Sequence, residues 1–126
     1  MGSPTTSRYA DSHEWHRLEG DVVTLGVTQF AVNELTDVTY VSMKPVGTNV
    51  AAGGTVGEVE SVKATSEIYS AVAGTIVEVN KKLDEDPGLL NRDPFGAAWL
   101  VKIRVKDSSP INALMDAETY DRKYAL

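Results

Sequence analysis

The sequence predicts a mainly β fold: a quasi-symmetric β-sandwich or flattened barrel with short peripheral helices, including a C-terminal helical segment. Short runs rich in β-branched and aromatic residues are separated by turn residues at roughly 8–12-residue intervals, the spacing of an all-β core. Gly54-Thr55-Val56-Gly57-Glu58-Val59 recurs twenty residues later as Gly74-Thr75-Ile76-Val77-Glu78-Val79. Two copies are too few for a solenoid, whereas two similar β units flanking a hairpin imply approximate twofold symmetry. Helical signals are confined to short stretches at the edges.

In chain order, residues 1–8 are expected as a disordered leader or an expression remnant, with 9–126 forming a single domain. Asp21–Val27 reads as a strand, and Thr28 caps a short helix through Leu35 with Ala31 and Leu35 on one face. Val38–Met43 is a second strand. Val56–Val62 and Thr65–Val72 form the arms of a hairpin, with Gly54 and Gly74 as turn markers about ten residues to either side of its tip. Asp84-Glu85-Asp86-Pro87-Gly88 is a turn that opens a helical turn at Leu89-Leu90. Trp99–Val105 alternates, with Leu100, Lys102 and Arg104 opposite Val101, Ile103 and Val105. Ser109 caps a C-terminal helix with Pro110 in its first position and Ile111, Leu114 and Met115 facing inward. Asp116 caps a second segment holding Tyr120.

Composition excludes several functions. With 42% apolar residues and no apolar run near eighteen, the chain offers no membrane-spanning segment. No cysteine is present, which excludes disulfides, iron–sulfur clusters and thiol catalysis. A net charge of −6, with the 12 basic residues scattered, argues against nucleic acid as a partner. His13-Glu14-Trp15-His16 falls one residue short of a zinc-protease motif, because two histidines must stand four apart on a helix to share a metal. On a strand His13 and His16 point to opposite faces, so no metal is expected.

Lys63 is the candidate functional residue. It sits at the hairpin tip, near the centre of the repeated region, where two arms fix its direction and its amine stays in water. The segment Glu60-Ser61-Val62-Lys63-Ala64-Thr65-Ser66-Glu67-Ile68-Tyr69-Ser70 closely resembles the lipoyl-lysine segment of the glycine cleavage H-protein family. Further stretches carry the resemblance from about Tyr9 to Tyr120: Ser12-His13-Glu14-Trp15, Leu25-Gly26-Val27-Thr28, Leu90-Asn91, Asp93-Pro94-Phe95-Gly96, Trp99–Ile103 and Leu114–Tyr120. Their order and spacing together are specific. Biotin carriers usually place the modified lysine between two methionines, whereas Lys63 lies between Val62 and Ala64, which favours lipoate.

The resemblance implies a fold of the lipoyl-carrier type and a lipoyl group bound covalently to Lys63. It implies a non-catalytic carrier that shuttles the aminomethyl group of glycine on that arm. A pyridoxal-phosphate glycine decarboxylase would load the arm and a tetrahydrofolate-dependent aminomethyltransferase would unload it. A flavin dihydrolipoamide dehydrogenase would reoxidise the dithiol, and a lipoate-attaching enzyme would modify Lys63 beforehand. Residues matching Ser12 and Glu14 line a cleft for the loaded arm, with a carboxylate at the position of Glu67 nearby. A carboxylate there would hold the cationic amine, and burial would protect the linkage from water. Glu60 and Glu67 would keep the Lys63 ammonium charged, and Glu60 would mark the tip for the attaching enzyme. The expected location is the cytoplasm of a bacterium, or the mitochondrial matrix if a transit peptide has been omitted.

Alternatives are a lipoyl donor for 2-oxo-acid dehydrogenase complexes and, more remotely, a small hydrolase using Glu14 with another carboxylate. The sequence also departs from the family pattern. Thr36 stands where glycine is usual after the short helix, which matters if that residue is left-handed. Ala71 replaces a frequent proline and is expected to loosen the outgoing hairpin arm. Ser42 replaces an acid, and Ala98 a glycine.

Overall fold

The computed structural model describes residues 2–124. Among these residues nine strands form two sheets: β1 (Arg8–Tyr9), β2 (Glu14–Glu19), β3 (Val22–Val27), β4 (Val38–Met43), β5 (Asn49–Val50), β6 (Thr55–Ser61), β7 (Thr65–Tyr69), β8 (Gly74–Val79) and β9 (Val101–Val105). One sheet has six strands in the order β1-β2-β3-β9-β8-β5, and the other has three in the order β4-β6-β7. Every pairing is antiparallel. Neither sheet closes on itself, so the arrangement is a sandwich and not a closed barrel.

The internal repeat is built symmetrically. Its first copy forms β6 in the small sheet and its second forms β8 in the large one. The equivalent carbonyls of Val56 and Ile76 accept from Lys44 N–H and Gly47 N–H, both at 2.8 Å. Each copy carries a register shift, between Thr55 and Gly57 in β6 and between Ile76 and Glu78 in β8.

Alternation decides which side chains fill the space between the sheets. Val56, Val59 and Ile68 from the small sheet meet Val23, Leu25, Ile76 and Ile103 from the large one, all essentially inaccessible to water. Each such side chain contributes about 1.5–3 kcal/mol on burial. A second cluster gathers Tyr9, Trp15 and Tyr120, with Phe95, Trp99 and Tyr124 packed against it. Trp15 lies across Gly26, where a Cβ would come within 2.6 Å of the indole, and its Nε1 donates to the Pro94 carbonyl at 3.0 Å.

Among the described residues five short helices lie at the edges: α1 (Gln29–Leu35), α2 (Lys82–Glu85), α3 (Leu89–Arg92), α4 (Ser109–Asn112) and α5 (Ala117–Lys123). Thr28 caps α1 through its side chain, accepting from Ala31 N–H at 3.2 Å. Val32 and Leu35 are the residues α1 buries, and Ala31 is only partly covered. The stretch read as a turn from Asp84 begins inside α2, because Leu83 anchors one helical turn there. Ser108, not Ser109, occupies the cap of α4, and it makes no side-chain hydrogen bond to the helix. Asp116 caps α5, accepting from Thr119 N–H at 2.8 Å. Residues ahead of Tyr9 pack along α5: Ser3 N–H donates to Asp121 at 2.9 Å, and the Tyr9 hydroxyl donates to the Pro4 carbonyl at 2.5 Å.

The sheets are joined by side chains. Glu14 and His16 alternate with Trp15 on β2 and so share the opposite face, where both are buried. Glu14 Oε2 accepts from Tyr69 N–H at 3.0 Å, and His16 Nε2 accepts from Ala71 N–H at 3.1 Å. Ala71 therefore supplies a donor that proline lacks, a gain set against the loosening expected from losing the ring. His16 is neutral: burial pushes its imidazole down to about 4, against a weaker opposing pull from the Glu14 backbone.

Two expected outcomes follow from this architecture. His16 is uncharged in the fold, whereas an unfolded histidine takes up a proton near pH 6.5. Its contribution is complete above about pH 6.5 and is lost as pH falls toward 4, by up to about 3 kcal/mol. His16→Gln keeps an acceptor for Ala71 and cannot titrate, so its unfolding free energy should fall less between pH 7 and pH 4.5. Identical pH slopes for the two proteins would remove His16 from the account.

Thr36 ends α1 at φ 63° and ψ −141°, a region favoured by glycine. Strain of about 1–3 kcal/mol outweighs the entropy advantage of a side chain, so Thr36→Gly should stabilise the fold by about 1 kcal/mol. Denaturant titration checks this, and a lower midpoint for the glycine variant would mean that the turn is unstrained.

Candidate functional site

Ser61, Val62, Lys63 and Ala64 make the hairpin turn between β6 and β7. The Ser61 hydroxyl accepts from Lys63 N–H at 3.1 Å and from Ala64 N–H at 3.0 Å, and Ser61 N–H donates to Ala64 O at 2.8 Å. The tip is also anchored sideways. Val62 N–H donates to the Asp37 carbonyl at 3.1 Å, just beyond the end of α1. Lys63 itself is exposed, with Nζ resting on the Glu34 carbonyl at 3.2 Å. Among the described residues no ion pair joins Lys63 to Glu60 or Glu67. The ammonium finds the Glu34 carbonyl near the C-terminus of α1 instead, where the helix dipole favours a cation.

Glu14 and Glu67 both bond Tyr69, and Ser12 is linked to it through Glu14. The exposed Ser12 hydroxyl donates to Glu14 Oε1, and Tyr69 N–H donates to Glu14 Oε2. The Tyr69 hydroxyl donates to Glu67 Oε2 at 3.0 Å. Glu14 is buried, at 1% exposed. Burial pushes its carboxyl above the usual carboxylate range, against opposing hydrogen bonds from Ser12 and Tyr69. Glu67 stays in water on the outer face of the small sheet, where Ser42, Glu58 and Glu67 form one cross-strand row. Glu60 is half-buried in the next row, between Tyr40 and Thr65.

The two histidines serve separate structures. His13 has φ 74° and packs against the Phe30, Tyr120 and Tyr124 rings, with Nδ1 at 2.8 Å from the Tyr120 hydroxyl. That hydroxyl is also 2.7 Å from Thr28 Oγ1, so α5 holds both the turn carrying Ser12 and the cap of α1. Among the described residues no three His, Asp or Glu side chains are grouped to hold a metal ion.

Sequence reasoning did not find His16, Tyr69, Asn91 or Tyr120. For His16 a signal was present: Glu14 and His16 stand two apart on a strand and must share a face. Tyr69 and Ala71 act through backbone N–H groups, which no residue type reveals.

These residues can hold a lipoyl-lysine arm. The Lys63 amine is accessible at a tip fixed by backbone hydrogen bonds. Glu14 lies at the far end of β7, a strand spanning about 13 Å from Thr65 to Tyr69, a distance on the scale of a lysine side chain extended by a lipoyl chain. Ser12 and the Tyr69 N–H, which bond the Glu14 carboxyl, are both uncharged donors.

Comparisons with known proteins point the same way. The family model described as "Glycine cleavage H-protein" matches residues 7–125. The "Glycine cleavage system H protein" of Geobacillus thermodenitrificans is 45% identical over 120 residues, covering 95% of this chain and 94% of that protein. The mitochondrial "Glycine cleavage system H protein 2" of Arabidopsis thaliana is 45% identical over 115 residues, covering 91% of this chain and 74% of that protein. The crystal structure of a glycine cleavage system H protein from Mycobacterium marinum matches with a TM-score of 0.89 and 35% identity, covering 98% of this chain and all of that one. With the hairpin lysine, the two-sheet sandwich and a family match over nearly its whole length, this chain belongs to the glycine cleavage H-protein family.

Proposed function

We propose that the protein is the lipoyl carrier of a glycine cleavage system, with the lipoyl group amide-linked to Lys63. The exposed Lys63 amine at a tip tied down by Ser61 and Asp37 is the observation that carries this reading. When bound, the lipoyl group would supply a disulfide whose opening takes up the aminomethyl unit on one sulfur and leaves the other as a thiol, so that the dithiol remains only after the unit has been passed on. The protein's own part is to present, shelter and release its cargo, and it makes and breaks no bonds. Lys63 offers one tethered position in turn to a pyridoxal-phosphate glycine decarboxylase, a tetrahydrofolate-dependent aminomethyltransferase and a flavin dihydrolipoamide dehydrogenase. Tethering raises the local concentration at each encounter. The setting is the cytoplasm of a bacterium or a mitochondrial matrix, with residues 9–126 as the carrier domain.

In this reading Glu14 receives the cationic amine, Ser12 and Tyr69 hold its carboxylate in place, and Glu67 adds negative charge at the mouth. Glu60, beside the tip, contributes to recognition by the lipoate-attaching enzyme. Acylation removes the Lys63 charge, so contact with the Glu34 carbonyl weakens and the arm is freed to swing.

Lipoylation should occur at Lys63 and at no other lysine. Intact mass and peptide mapping after treatment with the attaching enzyme should find one lipoyl mass on the peptide holding Lys63. Modification persisting in Lys63→Arg would sink the assignment.

Glu14→Gln should leave attachment intact while removing the charge and keeping an acceptor for Tyr69. Loss of a charge-assisted bond of about 1.5–3 kcal/mol should shorten the lifetime of the loaded protein about ten- to a hundredfold. The readout is formaldehyde and ammonia released with no folate-dependent partner present. An unchanged release rate would return Glu14 to a purely structural role.

A further inference from the structure

Asn91 is half-buried in α3 and its side chain grips the backbone of another element. Its Nδ2 donates to the Thr36 carbonyl at 2.6 Å, and its Oδ1 accepts from Val38 N–H at 2.9 Å. The two contacts straddle the turn that leads from α1 into β4, and Thr36 inside that turn has φ 63° and ψ −141°. A threonine remains in such a conformation only where its surroundings over-determine it. The opposite side of the same turn carries the hairpin tip: the Asp37 carbonyl accepts from Val62 N–H at 3.1 Å, and the Glu34 carbonyl accepts from Lys63 Nζ at 3.2 Å.

We infer that Asn91, which makes no hydrogen bond to Lys63 among the described residues, is its positioning residue: it holds the strained Glu34–Val38 turn as the platform on which the lysine tip rests. The inference rests on the reading of Lys63 as the attachment site. Without the Asn91 amide, the Thr36 carbonyl and Val38 N–H lose their partner together. Thr36 is then free to relax to negative φ, which turns the peptide groups on either side of it. The Asp37 carbonyl leaves Val62, and the tip keeps only its own turn hydrogen bonds. An attaching enzyme must then select the ordered tip from a wider ensemble, which raises its apparent KM and leaves the chemical step unchanged.

The position of Thr36 provides the discriminating control. Glycine adopts the same backbone conformation without strain, so Thr36→Gly should make the platform independent of Asn91. If Asn91 only packed α3 against its neighbours, a glycine at residue 36 would restore nothing.

The experiment compares wild type, Asn91→Ala, Thr36→Gly, the double variant and Lys63→Arg, all first purified without lipoate. In unmodified protein, Asn91→Ala should speed amide exchange at Val62 about tenfold, the ratio for loss of one hydrogen bond, while core amides such as Ile76 keep their rates. In lipoate transfer by the attaching enzyme, followed by intact mass, Asn91→Ala should raise KM about tenfold with kcat retained. Both values should return to within about twofold of wild type in the double variant. Unchanged Val62 exchange in Asn91→Ala, or no recovery in the double variant, overturns the inference. If Asn91→Ala does not fold, Asn91→Asp, which keeps the acceptor and loses the donor, is read in the same way. Lipoyl mass on Lys63→Arg would overturn the attachment site instead, and the exchange data on unmodified protein would still decide the platform.

Discussion

Two side chains on one strand decide how this sandwich closes. Glu14 and His16 leave β2 on the same face and accept from Tyr69 N–H and Ala71 N–H, at the edge of the three-stranded sheet. The backbone of β2 is already paired on both edges, with β1 and β3, so it has no ladder to offer β7. A pair of side-chain acceptors satisfies the same donors and keeps the sheets distinct, which also blunts an edge otherwise open to pairing. The consequence reaches the hairpin. Tyr69 ends β7, so the joint fixes the strand whose other end carries the turn at Lys63. His16 has a second cost, because its Nε2 accepts and its proton must sit on Nδ1, a buried atom with no partner of good hydrogen-bond geometry among the described residues.

Those elements whose cause is local were legible in the sequence. Thr28 and Asp116 are caps because a short oxygen side chain precedes a helical run, and each bonds the N–H three residues on. The hairpin was visible because β-branched residues frame a short break, and the internal repeat announced the pseudo-symmetry. The position of Lys63 followed from both. Thr36 was legible as a conflict, since a residue leaving a helix often needs positive φ and threonine resists it. What depends on distant partners was hidden. The Asn91 amide serves a turn 53 to 55 positions earlier in the chain, and Ala71 looked like a loss until His16 was found beside it. The serine cap near Pro110 fell one residue early, because Pro110 is tolerated at either of the first two helical positions and adjacent serines offer no choice between them.

Glu14 carries two demands that pull against each other. As a joint between sheets it must be buried and hydrogen-bonded, and burial raises the cost of its negative charge. Hydrogen bonds from Ser12 and Tyr69 oppose that cost without supplying a compensating positive charge. A carboxylate in that state gains most from a cationic partner. In the proposed cycle such a partner is present only while the arm is loaded. The uncompensated carboxylate would therefore favour the loaded arm in its shelter and give no comparable hold on an arm that has delivered its amine. Glu67 is linked to the same tyrosine but remains in water, where its attraction for a cation is weaker and screened by salt. The gradient from Glu67 to Glu14 thus runs from solvated to buried, and the stronger interaction lies at the inner end.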